Sequence, residues 1–178
     1  MKLSLRGLGC MITIERAKQL PEMLLLKKSV ENSMGHKRQN VYTHSLKVLK
    51  KMRSLTRDKF MHLVALLHDI GKQQTLVKKN GVTSCPGHDD AGAEIISRLD
   101  LGLAQKRHAN AVMLVRNHLI AFRSQDFEGE IKRKSKGFAR EQMLLAIADL
   151  QGGDEWILSR KSFLQKLKLF KRALRVVS

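Results

Sequence analysis

The stretch Leu63-Val64-Ala65-Leu66-Leu67-His68-Asp69-Ile70-Gly71-Lys72 constrains this chain most, because an unbroken apolar run ends in an adjacent histidine and aspartate and is then stopped by glycine. A helix of this composition is buried, so an imidazole and a carboxylate arrive together at its inner end. Neither can be left unsatisfied there, since burying an unpaired polar or charged group is costly. A bound cation would satisfy both, provided that other ligands reach the same point. His44, His88, His118 and Asp149 are the residues whose positions along the chain allow it.

Length and composition set the frame. A chain of 178 residues is about one domain. Aromatic residues are only 4% and leucine is abundant, which predicts an aliphatic, mainly helical core. Cys10 and Cys85 lack the spacing of a zinc site, and this usage points to a reducing compartment and a cytoplasmic protein. The apolar run within residues 1–14 is too short and interrupted for a signal peptide or a membrane span. No membrane partner is expected.

Charge is the most unusual bulk property. Against 16 acids stand 34 Lys and Arg, a formal charge of +18. The excess is concentrated: Arg160, Lys161, Lys166, Lys168, Lys171, Arg172 and Arg175 occur with no acid among them, while acids gather at Asp89, Asp90, Glu94 and Asp100. Such a surface predicts a polyanionic partner, nucleic acid being the natural one.

Apolar spacing then places the ligand candidates on elements. Ile14 to Ser29 reads as helix with a break or new start at Pro21. From Asn40 a helix carries Val41, Val48, Leu49 and Met52 on one face, with His44 on the same face. Thr56 and Asp58 offer caps for the helix whose inward positions Phe60, Val64 and Leu67 lead to His68. Thr75 to Ser84, with β-branched residues flanking Asn80-Gly81, is a hairpin signal. His88 follows on a turn, before a helix that starts at Asp89 or Asp90.

The next helix is predicted over 104–119, with His118 at the end of its buried stripe. Residues 123–137 read as a mobile loop bearing Lys132-Arg133-Lys134-Ser135-Lys136. From Phe138 a helix that is apolar on nearly all sides nonetheless contains Asp149, a carboxylate that needs a partner or a metal. The last helix shows Trp156, Phe163, Leu167, Phe170 and Leu174 on one stripe and basic residues opposite. His62 and His108 have polar neighbours and are left out of the ligand set.

The ordered residues His44, His68-Asp69, His88, His118 and Asp149 resemble the H…HD…H…H…D signature of the HD superfamily of helical metal-dependent phosphohydrolases. The wording of Tyr42-Thr43-His44, His68-Asp69-Ile70-Gly71-Lys72, Gly87-His88-Asp89-Asp90-Ala91-Gly92-Ala93 and Arg116-Asn117-His118 is similar to the HD domain of bacterial CCA-adding enzymes and poly(A) polymerases. No nucleotidyltransferase head with its paired-aspartate strand precedes it, so nucleotide addition is not expected. Nor does the Gly-Tyr-Pro motif of cyclic-di-GMP phosphodiesterases follow.

The resemblance implies an all-α HD-domain bundle with one small β-hairpin near residues 75–85. It divides the chain into a helical flank (1–35), the HD domain (36–152) and a C-terminal amphipathic basic helix packed on the same domain (153–178). It also implies one or two divalent transition metals (Mn, Fe, Co, Ni or Zn), held by His44, His68, Asp69, His88, His118 and Asp149. Mixed imidazole and carboxylate ligands without cysteine suit these ions and disfavour a structural zinc.

Asp69 is then the central ligand and catalytic bridge. Lys72 is placed to neutralise a phosphate, and Arg116, Lys132 and Arg133 to assist in substrate binding. The expected substrate is a phosphate ester of a nucleotide, a cyclic nucleotide or an RNA end. Two other readings are a basic RNA-binding module with a vestigial metal site, and a di-iron oxygenase using the same six ligands.

Overall fold

The computed structural model describes residues 10–33, 36–135, 137–153 and 160–177. Helix α4 (Lys59–Leu67) is its axis: Asp58 caps it by accepting from the Phe60 N–H, and nearly every residue from Phe60 onward is buried. Around it stand α3 (Val41–Leu55), α5 (His88–Arg98), α6 (Gln105–Arg116) and α9 (Ala139–Gly152). Asn40 caps α3 by accepting from the Thr43 N–H, which leaves Val41, His44, Val48 and Met52 on the buried face. The N-terminal flank supplies α1 (Ile14–Ala17) and α2 (Pro21–Leu25), broken at Pro21 as the sequence predicts.

The helical bundle agrees with the sequence reading, but the hairpin is half of a larger sheet. Strands β1 (Val30–Ser33), β2 (His36–Asn40), β3 (Val77–Lys79) and β4 (Val82–Ser84) form an antiparallel sheet in the order β2-β1-β4-β3. Asn80 and Gly81 both take left-handed backbone angles (φ 50° and 77°), as the two-residue turn between β3 and β4 requires. β1 lies inside the flank expected to be helical. Its Val-Glu-Asn-Ser sequence has no apolar alternation, and pairing with β2 and β4, rather than its own pattern, makes it a strand.

The region expected to be a mobile loop is also structured. After α7 (Ile120–Arg123) comes α8 (Phe127–Lys134), started by Asp126, whose side chain accepts from the Gly129 N–H. Phe127 and Ile131, four apart, are both buried. They join Phe170 and Ala173 of α10 (Arg160–Val177) in a second apolar cluster against α9. Phe163, Leu167 and Leu174 flank that cluster, while Trp156 and Asp154 lie outside the described residues.

Candidate metal centre

Five elements deliver the six ligand candidates to one buried point. His44 comes from the inward face of α3, and His68 and Asp69 from the end of α4. His88 is the first residue of α5, entered through Gly87 in a left-handed conformation. His118 lies in the turn just beyond α6, and Asp149 in the last turn of α9. A close approach makes the meeting compact: a Cβ on Gly71 would stand 2.3 Å from the His88 carbonyl oxygen and 2.4 Å from the Gly92 nitrogen. Only glycine allows the short 3-10 turn after Asp69 to lie against α5.

The side chains form two half-sites that share Asp69. In the first, His44 Nε2 is 2.9 Å from Asp149 Oδ1 and 3.6 Å from Asp69 Oδ2. His68 Nε2 is 3.3 Å from Asp69 Oδ2 and 3.6 Å from Asp149 Oδ1. In the second, Asp69 Oδ1 faces His88 Nε2 at 3.3 Å and His118 Nε2 at 3.6 Å, with the two nitrogens 3.2 Å apart. Ligand atoms ~2.1 Å from a common ion, at right or tetrahedral angles to each other, are about 3.0–3.4 Å apart. The observed spacings fit that arrangement.

The backbone sets the imidazole tautomers. Nδ1 of His68 contacts the Ala65 carbonyl at 2.9 Å, that of His88 the Cys85 carbonyl at 2.7 Å, that of His118 the Val115 carbonyl at 2.6 Å and that of His44 the Gly152 carbonyl at 3.3 Å. A carbonyl only accepts, so each Nδ1 donates and, in a neutral ring, each Nε2 presents a lone pair inward. Four lone pairs and two carboxylates thus converge, and His68 Nε2 has no hydrogen-bond partner among the described residues. The donor set fits divalent cations and leaves them the role of reconciling these acceptors. His44, His68 and Asp69 form one group able to hold an ion, and Asp69, His88 and His118 another.

The electrostatics agree. Burial by itself opposes an imidazolium at His68, but the Asp69 and Asp149 carboxylates outweigh it and raise the pKa to about 10. Burial also works against ionised Asp69, yet His68, Lys72 and His118 hold its carboxyl well below the usual range. The hydrogen bond with His44 and the nearby His68 imidazole do the same for Asp149 against its burial. His118 goes the other way: burial lowers it.

The cations of the region are less available than the sequence suggests. Lys72, expected to neutralise a phosphate, is 3% exposed, with Nζ 2.9 Å from Asp69 Oδ2 and 2.8 Å from Glu31 Oε2. Glu31 has no counterpart in the sequence reading, since β1 itself was not foreseen. Arg116 pairs with Asp90 at 3.3 Å and lines a cleft of about 640 Å³ with Asp89, Asn117, Arg123 and Lys134, of which Asp89 and Asn117 are the chain neighbours of His88 and His118. Lys132 and Arg133 stand exposed on α8 and are not among the residues lining that cleft, and Arg133 lies 3.6 Å from Asp126. Lys136 lies outside the described residues.

A helical bundle whose buried centre is a shared aspartate between two histidine-rich half-sites defines a class of metal-site proteins. The HD domain family's model matches residues 41–150, and the chain belongs to that family. The match runs from the first residue of α3 to the residue after Asp149, so it contains every ligand candidate. The cluster is of the kind typical of HD phosphohydrolases. No curated protein matches the chain. Among the described residues, no helix is long and apolar enough to cross a membrane.

Proposed function

We propose that this chain hydrolyses a phosphate ester of a nucleotide, a cyclic nucleotide or an RNA end. The observation that carries the reading is Asp69, whose two oxygens face separate half-sites and which is ringed by four Nε2 atoms. Bound divalent ions supply Lewis acidity toward phosphoryl oxygens and lower the pKa of coordinated water. The protein's own residues do the positioning. The four backbone carbonyls fix the imidazole orientations, and Lys72 holds Asp69 ionised and oriented. Lys72 is thereby a positioning residue, reinforced by Glu31.

The preference for a nucleotide or RNA end is supported by the resemblance of the motif wording to the HD domain of CCA-adding enzymes and by the +18 charge. The complete ligand set favours catalysis over a vestigial site in an RNA-binding module.

Metal analysis of the purified protein, paired with a screen of nucleoside monophosphates and 2′,3′-cyclic nucleotides, tests the proposal. One or two equivalents of transition metal and chelator-sensitive phosphate release are expected, and turnover should persist without oxygen, which separates a hydrolase from an oxygenase. Asp69→Ala removes the ligand common to both half-sites and should abolish metal retention and hydrolysis while helix content is kept. Undiminished turnover in that variant would end the assignment.

A further inference from the structure

α10 carries a concentration of charge that the metal centre does not use. The helix has no acidic residue in its 18 positions. Lys161, Lys168, Lys171, Arg172 and Arg175 are all exposed on it, and none of these five forms an ion pair with a carboxylate among the described residues. Arg133 and Lys134 of the neighbouring α8 differ in this respect, since they stand 3.6 Å from Asp126 and 3.6 Å from Glu130.

The five cations are also ordered in space. Successive residues turn about 100° round an α-helix, so they fall within an arc of about 100° that runs from Lys171 to Arg172, over a length of about 21 Å. Phe170 and Ala173, fully buried in the cluster against α9, occupy the other side of the helix. The positive charge therefore faces solvent as a ridge and takes no part in packing. On α8 Lys132 is exposed as well, and Phe127 and Ile131 of that helix pack with Phe170. α8 also lends Glu130 and Lys134 to the cleft that contains Asp89 and Asn117. Ridge and cleft are thus carried on helices in mutual contact.

A row of unpaired cations on a rigid helix fits a polymer of fixed negative charges, because each phosphate it contacts releases condensed counterions. The ridge holds no aromatic side chain on which a base could stack, so it suits the backbone and not the base sequence. A membrane surface fits less well. An amphipathic helix binds lipid by burying its apolar face, and here that face is already packed against α9, leaving only Leu164, Leu169 and Val176 as exposed apolar side chains of α10.

We propose that the outward face of α10 is a docking ridge for the phosphate backbone of an RNA strand, bound irrespective of its sequence. The choice of RNA rests on the hydrolase reading and sharpens it, because the substrate is then an RNA whose body lies on α10.

The test is fluorescence anisotropy of a labelled poly(U) oligonucleotide with the full chain, titrated over a range of salt concentrations. One variant has the five ridge cations replaced by glutamine. A second has Lys50, Lys51, Arg53, Arg57 and Lys59, which are exposed on α3 and at the start of α4, replaced in the same way. Both lose five charges, and only the first loses the ridge. Removing up to five phosphate contacts should flatten the salt slope by up to about 3.5 and raise Kd at low salt by about tenfold or more. The second variant should stay close to the wild type. Metal content and melting temperature should be unchanged in the ridge variant, and KM should rise for an RNA end and not for a mononucleotide. If the ridge variant does not fold, Lys168→Gln with Arg172→Gln serves in the same titration, with a proportionately smaller change expected. Equal losses in the two variants reduce the effect to net charge and overturn the proposal. Tighter binding of the matching DNA strand, or a ridge that matters only for phosphatidylserine vesicles, overturns it as well. Turnover of an RNA end that the ridge variant leaves unchanged would sink this assignment alone, whereas ridge-dependent RNA binding without any turnover would sink the hydrolase reading alone.

Discussion

At the scale of single residues, the pair to test is Lys72 with its two carboxylates. All three side chains are nearly inaccessible, and removing one partner of a buried ion pair costs about 3–5 kcal/mol, because the remaining charge is left uncompensated. Lys72→Met should therefore lower the stability of chelator-treated protein by that order in a denaturant titration. A merely phosphate-binding lysine would change KM and leave stability alone.

Protonation gives a second prediction at this scale. His68 carries a proton up to about pH 10 without metal, and must lose it to become a ligand. Metal binding at neutral pH therefore releases a proton, and apparent affinity should fall about tenfold for each unit by which pH is lowered. Calorimetry in buffers of different protonation enthalpy counts that proton. An affinity independent of pH between about 6 and 8 would contradict the assignment.

At the scale of elements, the contact between the turn after Asp69 and the start of α5 decides the geometry of the second half-site. The Cβ of Gly71→Ala would meet backbone atoms of His88 and Gly92, which cannot rotate away. Overpacking of this kind costs about 1–3 kcal/mol and sometimes more. The variant should melt earlier and should lose the ion shared by Asp69, His88 and His118 before the one shared by His44, His68 and Asp69. Metal titration of Gly71→Ala, read for stoichiometry, checks the order of loss. Equal weakening of both ions would place the constraint elsewhere.

At the scale of the whole molecule, charge is segregated from the centre. Lys132 on α8 and Lys161, Lys168, Lys171, Arg172 and Arg175 on α10 are exposed. Phosphate contacts with such residues release counterions, so affinity for single-stranded RNA should fall linearly with log salt, by a slope of roughly −0.7 per phosphate neutralised. Replacing Lys132, Arg133 and Lys134 by glutamine should flatten that slope and raise KM for an oligonucleotide more than for a mononucleotide. Equal effects on the two substrates would reduce the charge to a property of the solvated surface.

The sequence by itself determined what depends on neighbours in the chain. The caps at Asn40 and Asp58, the Asn80-Gly81 turn and the buried run into His68-Asp69 are all legible in local pattern, and so are the identities of the six ligand candidates. What joins those six is not local. His44 meets Asp149 across 105 positions and His88 meets His118 across 30, and only packing of α3, α5, α6 and α9 around α4 brings them together. The tertiary structure alone decided which cations are free. Lys72 is adjacent to the motif in sequence, yet it is taken by Glu31, a residue on a strand that pairs with the next strand, β2, and with the distant β4. Charge is written in the sequence, but the partner that neutralises it is set by the fold.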